Sequence, residues 1–257
     1  MERSRKVWAW AVGSCVAVLA GCSTAPEQRE PAIGSSPWAA ESKVVHRGPA
    51  ASGWRHFRLP GKSPTQFDYT REDGRNAIAV TAVSSASLLR NAVRVEPADL
   101  GKLDFSWKVP HLIPGADMAS RQADDSPVRV ILTFEGDRSR LSARDAMLSE
   151  LMRTLMGEEL PYATLMYVWC NHRAPGSLIH NSRTDRIRTL VVESGPRKLN
   201  QWLDYQRDIR ADFQRAFGEA PGTLVGIGVM SDSDNTGTTA RAWYGPLRLG
   251  TARRAGN

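Results

Sequence analysis

The sequence predicts a mainly β protein, a jelly-roll-like antiparallel β-sandwich with two helical crossovers. Short segments of alternating apolar and polar residues recur from Trp54 onward, and this alternation is typical of strands with one buried face. Two segments show helical spacing, and they do not alternate regularly with the strands, which favours a sandwich over an α/β fold. No segment repeats at a fixed period, so the pattern indicates neither a propeller nor a solenoid.

The strand segments have recognisable inner faces. Every second residue of LDFSWKV is apolar from Leu103 to Val109, and the same holds for VRVILTFE from Val128 to Phe134. ATLMYVWC is largely apolar on both faces, which predicts a central strand. The remaining segments with the strand pattern are WRHFRL, TQFDYT, NAIAVTAV, RIRTLVVE, TLVGIGVM and ARAWYGPLRL.

Two helices interrupt the strands. Ser142 with Asp145 resembles a capping box, and Gly157 suits the left-handed end of the helix between them. A second helix is predicted from Asn200 to Phe217. Both carry apolar stripes that we expect to face the core. The stripes consist of Met147, Leu148, Leu151, Met152 and Leu155 in the first helix and of Trp202, Tyr205, Ile209, Phe213 and Ala216 in the second.

The N-terminus has the layout of a lipoprotein signal. Three cations within residues 1–6 precede an uncharged stretch that ends in Leu19-Ala20-Gly21-Cys22, and this ending resembles a bacterial lipobox. Residues 1–21 are therefore predicted to be a signal peptide, and Cys22 the site of lipidation. Ser23 after the cysteine resembles lipoproteins of the outer membrane, so we expect an outer-membrane protein facing the periplasm. Ordinary cleavage to a soluble periplasmic protein is the alternative.

The rest of the chain divides by composition. Residues 22–53 are rich in Ala, Pro, Ser, Glu and Gly, and they predict a flexible tether to the membrane. Residues 54–250 hold the sandwich domain, and residues 251–257 form a basic tail. Only Cys170 remains after Cys15 and Cys22 are accounted for, so no intrachain disulfide is expected in the mature protein.

Charge and motifs exclude several functions. The chain has 34 Lys and Arg against 27 Asp and Glu; without residues 1–21 the numbers are 31 and 26, a net charge of +5. The arginines are scattered and do not interleave with aromatic residues, so nucleic acid is not an expected partner. The sequence contains no phosphate-binding glycine loop, no serine-hydrolase elbow and no tight histidine spacing for zinc.

Several motifs together support a family resemblance. They are GWRHFRLPGKSPTQF, SASLLRNAVRVEP, LDFSWKVP, RQADDSPVRVILTFEGD, LPYATLMYVW, VESGPRKLNQWLDYQRDIRADFQRAFGEAP and GIGVMSDSDNTGTTARAWYGPLRL. As a set, from Trp54 to Leu249, they resemble the bacterial family known as domain of unknown function 3047. The resemblance implies secretion and a jelly-roll-like sandwich similar to carbohydrate-binding modules. The family supplies no activity to carry over.

Two acidic loops are candidates for a cation site. Asp232, Asp234 and Thr236 are spaced as in a calcium-binding loop, with Gly237 at the tight bend. An EF-hand is excluded because Trp243 stands where its bidentate glutamate belongs. Calcium is the candidate ion, although no cofactor is required, and a well-made turn explains the same residues. A second acidic loop could join the site, and it contributes Asp124 and Asp125.

Catalysis is the alternative use of these acids. Pro127 places Asp124 and Asp125 in a loop before Val128, and a pair of carboxylates across a groove would suit a polysaccharide hydrolase or lyase. Asp125 could equally cap backbone amides or pair with Arg121 or Arg129. Cys170 and His172 lie about 7 Å apart on one strand face, so a buried inert thiol is the better interpretation.

Aromatic side chains supply the hypothesis that we prefer, a non-catalytic protein that binds a glycan. An exposed ring on a sheet would stack on a sugar face, while amide and guanidinium groups satisfy its hydroxyls. The candidate ligand-binding residues are Trp169, Asn171, Asn181, Arg188, Trp243 and Tyr244. Most large aromatics are expected in the core. A structural lipoprotein that binds another envelope protein is a further alternative, and the sequence does not set the oligomeric state.

Overall fold

The computed structural model describes residues 33–44 and 53–251. The predicted signal peptide, Cys22 and most of the basic tail lie outside the described residues. None of the described helices is long and apolar enough to cross a membrane.

Seven strands form the larger of two sheets. In spatial order they are β1 (Trp54–Arg58), β4 (Ala86–Val95), β11 (Leu224–Asp232), β6 (Ser126–Phe134), β7 (Ala163–Cys170), β9 (Ile187–Ser194) and β8 (Leu178–His180). Neighbouring strands run antiparallel, except that β7 and β9 are parallel. Because β11 and β6 lie at the centre, residues distant in sequence meet across this sheet.

The smaller sheet covers one face of the larger one. Its order is β10 (Leu203–Asp208), β5 (Leu100–Lys108), β12 (Thr239–Tyr244), β3 (Arg75–Val83) and β2 (Gln66–Glu72), with β13 (Arg248–Thr251) also paired to β5. All of its pairings are antiparallel. The mainly β sandwich predicted from the sequence is thereby confirmed.

The core lies between the two sheets and uses the predicted inner faces. The alternating residues from Leu103 to Val109 and from Val128 to Phe134 are all buried. Phe105 of the smaller sheet stacks on Tyr167 of the larger one, with ring centroids 5.7 Å apart. Buried apolar side chains of this size supply most of the stability of a domain that has no disulfide among its described residues.

The helix predicted from Asn200 begins later than expected. Residues 203–208 form β10, and α3 spans Ile209–Phe217. Asp208 caps the helix by accepting a hydrogen bond from the amide of Ala211 at 3.0 Å. The stripe is core-facing as predicted from Ile209 onward, where Phe213 packs on Phe134 with centroids 4.7 Å apart.

The other predicted helix, α2 (Ala143–Met156), has the expected ends but not the expected face. Ser142 accepts a hydrogen bond from the amide of Asp145 at 3.1 Å, and Gly157 is left-handed with φ 72°. The prediction that its apolar stripe faces the core is wrong, because Met147 and Leu151 are exposed. Its buried side is polar, since Asp145 accepts a hydrogen bond from Thr184 and Ser149 accepts one from Arg138.

Part of the segment assigned to the tether packs on the domain. A short helix, α1 (Pro37–Glu41), buries Trp38 completely, with its ring centroid 4.6 Å from that of Trp54. Val44 then bridges to Leu249. Burial of an indole is strongly favourable, and it explains why residues 33–44 differ here from the predicted flexible tether.

Candidate functional site

A groove of about 1030 Å³ runs over the outer face of the larger sheet. On β6 it is lined by Arg129, Ile131 and Thr133, which alternate with the core residues Val130 and Leu132. Successive strand residues point to opposite faces, so these side chains point away from the sandwich core. The same alternation places residues of β4, β7, β9 and β11 in the groove.

Two glycines of β11 shape the floor of the groove. A Cβ atom at Gly226 would lie 2.5 Å from the hydroxyl oxygen of Thr133, and one at Gly228 would lie 3.0 Å from the carbonyl oxygen of Leu89. These contacts leave no space for a larger residue without a shift of the neighbours. The floor is therefore bare backbone between the side chains of β4 and those of β6.

Three threonines form a polar strip beside these glycines, which we call the threonine strip. Thr133 of β6 pairs with Thr164 of β7. Thr189 of β9, which lies on the other side of β7, pairs with Met166, two residues after Thr164 on β7. The hydroxyl groups of the three threonines make no hydrogen bond to any described residue, and none is fully enclosed. These hydroxyls are available to a ligand in the groove.

Apolar side chains lie next to the threonine strip, and we call them the methionine strip. They are Leu88, Ile131, Met166 and Met230. Met230 is paired with Leu88, and Ile131 with Met166, so the strip crosses four neighbouring strands. Together with Ala86 and Leu59 they form a small cluster separate from the sandwich core.

A buried arginine organises one end of the groove. Arg129 is 4% exposed, and its Nε and Nη2 atoms donate to the two carboxylate oxygens of Asp232 at 2.9 and 3.0 Å. Nη2 also donates to Oδ1 of Asp124 at 2.9 Å. Asp232 accepts a further hydrogen bond from the amide of Ser126 at 3.0 Å. The cation that joins the two acidic loops in this structure is therefore a guanidinium group.

Burial sets the charge state of this pair. It raises the pKa of Asp232 to about 6 against the attraction of Arg129, and the carboxylates of Asp125 and Asp124 add to the rise. Burial also lowers the pKa of Arg129, but the carboxylates of Asp232 and Asp124 outweigh it and hold that pKa above its ordinary value. Both groups are thus charged at neutral pH.

Asp125 holds the acidic turn of residues 234–237. One of its oxygens accepts hydrogen bonds from the amide and side-chain nitrogens of Asn235 at 3.2 and 3.0 Å. The other accepts hydrogen bonds from the amide and the hydroxyl of Thr236 at 2.7 and 2.6 Å. Capping of backbone amides is one of the uses that the sequence suggests for this residue. These hydrogen bonds tie the turn to the loop that carries Asp125.

The structure brings the predicted cation-site residues together. Oxygens of Asp125, Asp232 and Asp234 lie within 4.8 Å of one another, and Asp124 and Thr236 adjoin them through the contacts just given. Asp234 pairs with Lys62, so each of these carboxylates already has a protein donor. Hard oxygens at this spacing suit calcium, which would have to displace Lys62 and compete with Arg129. The predicted calcium site stays a prediction.

Carboxylates lie at both ends of the groove and not at its centre. Asp232 pairs with Ser126 at one end of β6, whereas Glu135 follows Phe134 at the other, about 30 Å away at the rise of a strand. At the far end Glu158 pairs with Arg90 at 2.7 Å. A glycosidase needs two carboxyl groups about 5–10 Å apart across its substrate. The described residues offer no free pair of this kind over the floor of the groove.

Two predicted ligand-binding residues belong to the core instead. Trp169 and Tyr244 are fully buried. The indole nitrogen of Trp169 donates to the carbonyl oxygen of Gly195 at 3.0 Å, and the hydroxyl of Tyr244 donates to the carbonyl oxygen of Met230 at 2.6 Å. Neither ring can stack on a ligand, because both lie on the inner face of their strand.

The other four predicted ligand-binding residues are dispersed. Asn181 lines the groove. Asn171 donates to the carbonyl oxygen of Ile113 and so fixes a loop. Arg188 lies beside Phe217 on the inner face, where burial lowers its pKa. Trp243 is half-buried on the smaller sheet, with Lys108 Nζ 5.3 Å from its ring centroid. Of the six residues, only Asn181 lines the groove.

Sequence reasoning missed the residues that form the groove. They are Arg129, Ile131, Thr133, Thr164, Met166, Thr189 and Met230. The available signal is the outward set of positions in VRVILTFE and ATLMYVWC, which carries Ile, Thr and Met where an open sheet face usually carries charges. That pattern indicates a covered or ligand-binding face.

Solved structures that resemble this chain include two of low sequence identity. The xyloglucanase domain of NopAA, a type three effector from Sinorhizobium fredii in complex with cellobiose, is 11% identical with a TM-score of 0.39; the match covers 81% of this chain and 100% of that one. The cellulase CelB2, an endo-1,4-beta-glucanase, is 11% identical with a TM-score of 0.41 and coverages of 77% and 93%. Likenesses of this strength carry no functional conclusion.

The remaining comparisons concern sequence. No curated protein matches the chain. Residues 52–248 match a family model, and this range holds the sandwich and the groove described above. The chain belongs to the DUF3047 family, which is described as protein of unknown function.

Proposed function

We propose that the protein is a lipid-anchored cell-envelope protein that binds a saccharide chain in the groove of its larger sheet, without catalysing a reaction. The observation that carries this proposal is the threonine strip. Thr133, Thr164 and Thr189 present hydroxyl groups that have no partner among the described residues. A hydroxyl both donates and accepts hydrogen bonds, as the hydroxyls of a sugar do.

The surroundings of the strip support an extended ligand. The groove of about 1030 Å³ is at the upper end of the range for small-molecule sites. Asn181 adds a side-chain amide beside the strip. The bare backbone at Gly226 and Gly228 lets a chain approach the sheet closely. These features favour an oligosaccharide over a single sugar.

The arrangement of charges supports binding without catalysis. The aspartates at one end of the groove are engaged by Arg129, Lys62 and the acidic turn. A general acid or nucleophile has to reach the substrate, and both carboxylate oxygens of Asp232 already accept hydrogen bonds from Arg129. The aspartates that the sequence offers for hydrolysis are therefore committed to protein partners, and the exposed Glu135 and Glu158 at the opposite end of the groove pair with Arg94 and Arg90.

The location is proposed from the sequence. Cys22 at the end of the lipobox supports acylation, and each buried methylene of an acyl chain adds about 0.8 kcal/mol to membrane anchoring. An anchored binding protein would meet its ligand at the membrane surface that holds it.

The test is calorimetric titration of the purified protein with cello-, chito- and alginate oligosaccharides. The double variant Thr133→Val and Thr164→Val keeps side-chain shape while removing two hydroxyls. We expect it to weaken binding about tenfold, because each hydrogen bond contributes about 0.5–1.5 kcal/mol. Thr239→Val, at an exposed position of the smaller sheet, is the matched control. Unchanged affinity in the double variant, or no binding of any saccharide, would overturn the proposal.

A further inference from the structure

We infer that the saccharide ligand carries an acyl chain, and that this chain lies on the methionine strip. This inference rests on the proposed function, because it takes the groove as the ligand site. It adds the chemical class of the ligand, an anionic glycolipid. Three independent features of the groove support it: its apolar lining and, among the described residues that line it, the lack of an open aromatic ring and one cation without an ion pair.

The first feature is the apolar composition of the side chains that line the groove. Four of the seven methionines in the chain line the groove. Of these, Met166 and Met230 belong to the methionine strip, while Met118 is buried in a second apolar cluster and Met152 belongs to α2. Unbranched methionine side chains adapt to flexible apolar partners. An acyl chain has this character, whereas the apolar faces of sugar rings are flat and rigid.

The second feature is the absence of a stacking platform. Sugar faces bind best to open aromatic rings. Phe57 is the single aromatic residue among those that line the groove, and the guanidinium of Arg90 lies 4.0 Å from its ring centroid. The ring is thus already covered. The apolar surface of the methionine strip is therefore suited to a hydrocarbon chain, while the threonine strip suits the hydroxyls of the head group.

The third feature is charge. Lys62, Arg90, Arg129 and Arg138 each pair with a carboxylate. Arg183 also lines the groove, is exposed and has no ion pair with any described residue. It lies in the turn after β8, where its amide donates to Asn181 at 2.9 Å. An anionic group on the saccharide would complement this guanidinium.

The unpaired cation, the threonine strip and the methionine strip follow one another across the sheet. Arg183 and Asn181 mark the edge near β8 and β9, Thr189 and Thr164 follow, and the methionine strip continues to Leu88 on β4. From β9 to β4 there are four strand spacings, or about 19 Å. This length leaves room for a head group at one edge and an extended chain beyond it.

The experiment compares one head group with chains of different length. The purified protein is titrated with maltose, decyl maltoside and dodecyl maltoside below their micellar concentrations. Two further methylenes, if both are buried, should tighten binding about fifteenfold. Met166→Lys should reduce this gain to less than about twofold, because a charge then lies on the strip. Met147→Lys, at an exposed position of α2 outside the groove, should keep the full gain. If the Met166→Lys protein does not fold, Met166→Gln replaces it in the same comparison, because it also makes the strip polar at this position.

The outcomes separate this inference from the proposed function. If oligosaccharides bind but affinity does not depend on chain length, the acyl chain is refuted and the saccharide site stands. If alkyl maltosides bind through their chain while no oligosaccharide binds and Thr133→Val has no effect, the saccharide proposal fails and the apolar site stands. Laurate, which carries a carboxylate, tests the role of charge. Arg183→Gln should weaken the binding of laurate about tenfold and leave the affinity for dodecyl maltoside unchanged. Equal affinity of the variant and the unmodified protein for laurate would refute the anionic group.

Discussion

Replacing Arg129 with methionine should strongly destabilise the protein. The change removes four hydrogen bonds of the Arg129 side chain, three to the carboxylates of Asp232 and Asp124 and one to the carbonyl oxygen of Asp124. The carboxylate of Asp232, 4% exposed, is then left with only the amide of Ser126. Loss of one partner from a buried ion pair costs about 3–5 kcal/mol. Total stabilities are about 5–15 kcal/mol, so the variant should lose a large share. For a domain of this size, that loss lowers the melting temperature by about 10–15 °C.

Urea unfolding of the purified protein measures this loss directly. Arg121→Met changes an exposed arginine in the preceding loop and should shift the free energy of unfolding by less than about 0.5 kcal/mol. Adding Asp232→Asn to Arg129→Met removes the uncompensated charge and should restore at least about 1–2 kcal/mol. A double variant no more stable than Arg129→Met would refute the reasoning.

The pH dependence gives a second check on the same residue. Burial already raises the pKa of Asp232 to about 6, and removal of Arg129 should raise it further. A carboxyl whose pKa is higher in the folded than in the unfolded state makes the protein more stable as the pH falls. The stability deficit of Arg129→Met should therefore be smaller at pH 5 than at pH 8. An equal deficit at both pH values would show that Asp232 is not left charged and buried.

Three other predictions follow from the fold and the N-terminus. Trp38→Ala should cost about 3–5 kcal/mol, because the indole is fully buried; Trp243→Ala, at a half-buried ring, should cost less in the same urea assay, and the opposite order would contradict the docking of residues 33–44. Calcium should leave the melting temperature unchanged, because the acidic loops are already paired; a rise reversed by EDTA would instead support the predicted metal site. Cys22→Ala should abolish incorporation of labelled palmitate and move the protein to the soluble fraction, and membrane association without that cysteine would refute lipid anchoring.

Much of the sandwich could be predicted from local pattern. The inner faces of β5 and β6 were correct because alternation along one strand determines which residues are buried together. The stripe of α2 misled for a related reason. Helical spacing shows that Met147 and Leu151 share a face, but it does not show whether another element covers that face. Here that face is exposed, and the covered side of α2 is polar, with Asp145 bonded to Thr184 and Ser149 bonded to Arg138.

The groove could not be predicted, because it depends on the register between distant strands. Thr133 meets Thr164 only because β6 and β7 pair with one particular alignment, and Gly226 meets Thr133 from the other side. The prediction for the acidic loops was partly correct. Their proximity was a sequence hypothesis, and the structure brings Asp124 and Asp232 to the same arginine. The identity of that central cation needed coordinates, since a guanidinium and a metal ion satisfy the same carboxylates.

If Cys22 is lipidated, the docking of Trp38 limits how far the domain can lie from the membrane. If residues 22–53 were all free, the fully extended segment would span about 115 Å. Because residues 33–44 are held against the domain, the segment between Cys22 and the domain ends at Ile33, and its maximal length is about 40 Å. If Cys22 carries the anchor, the sandwich stays within a thin layer above the lipid headgroups. Molecules embedded in that same leaflet would then be among those that the domain can meet most often.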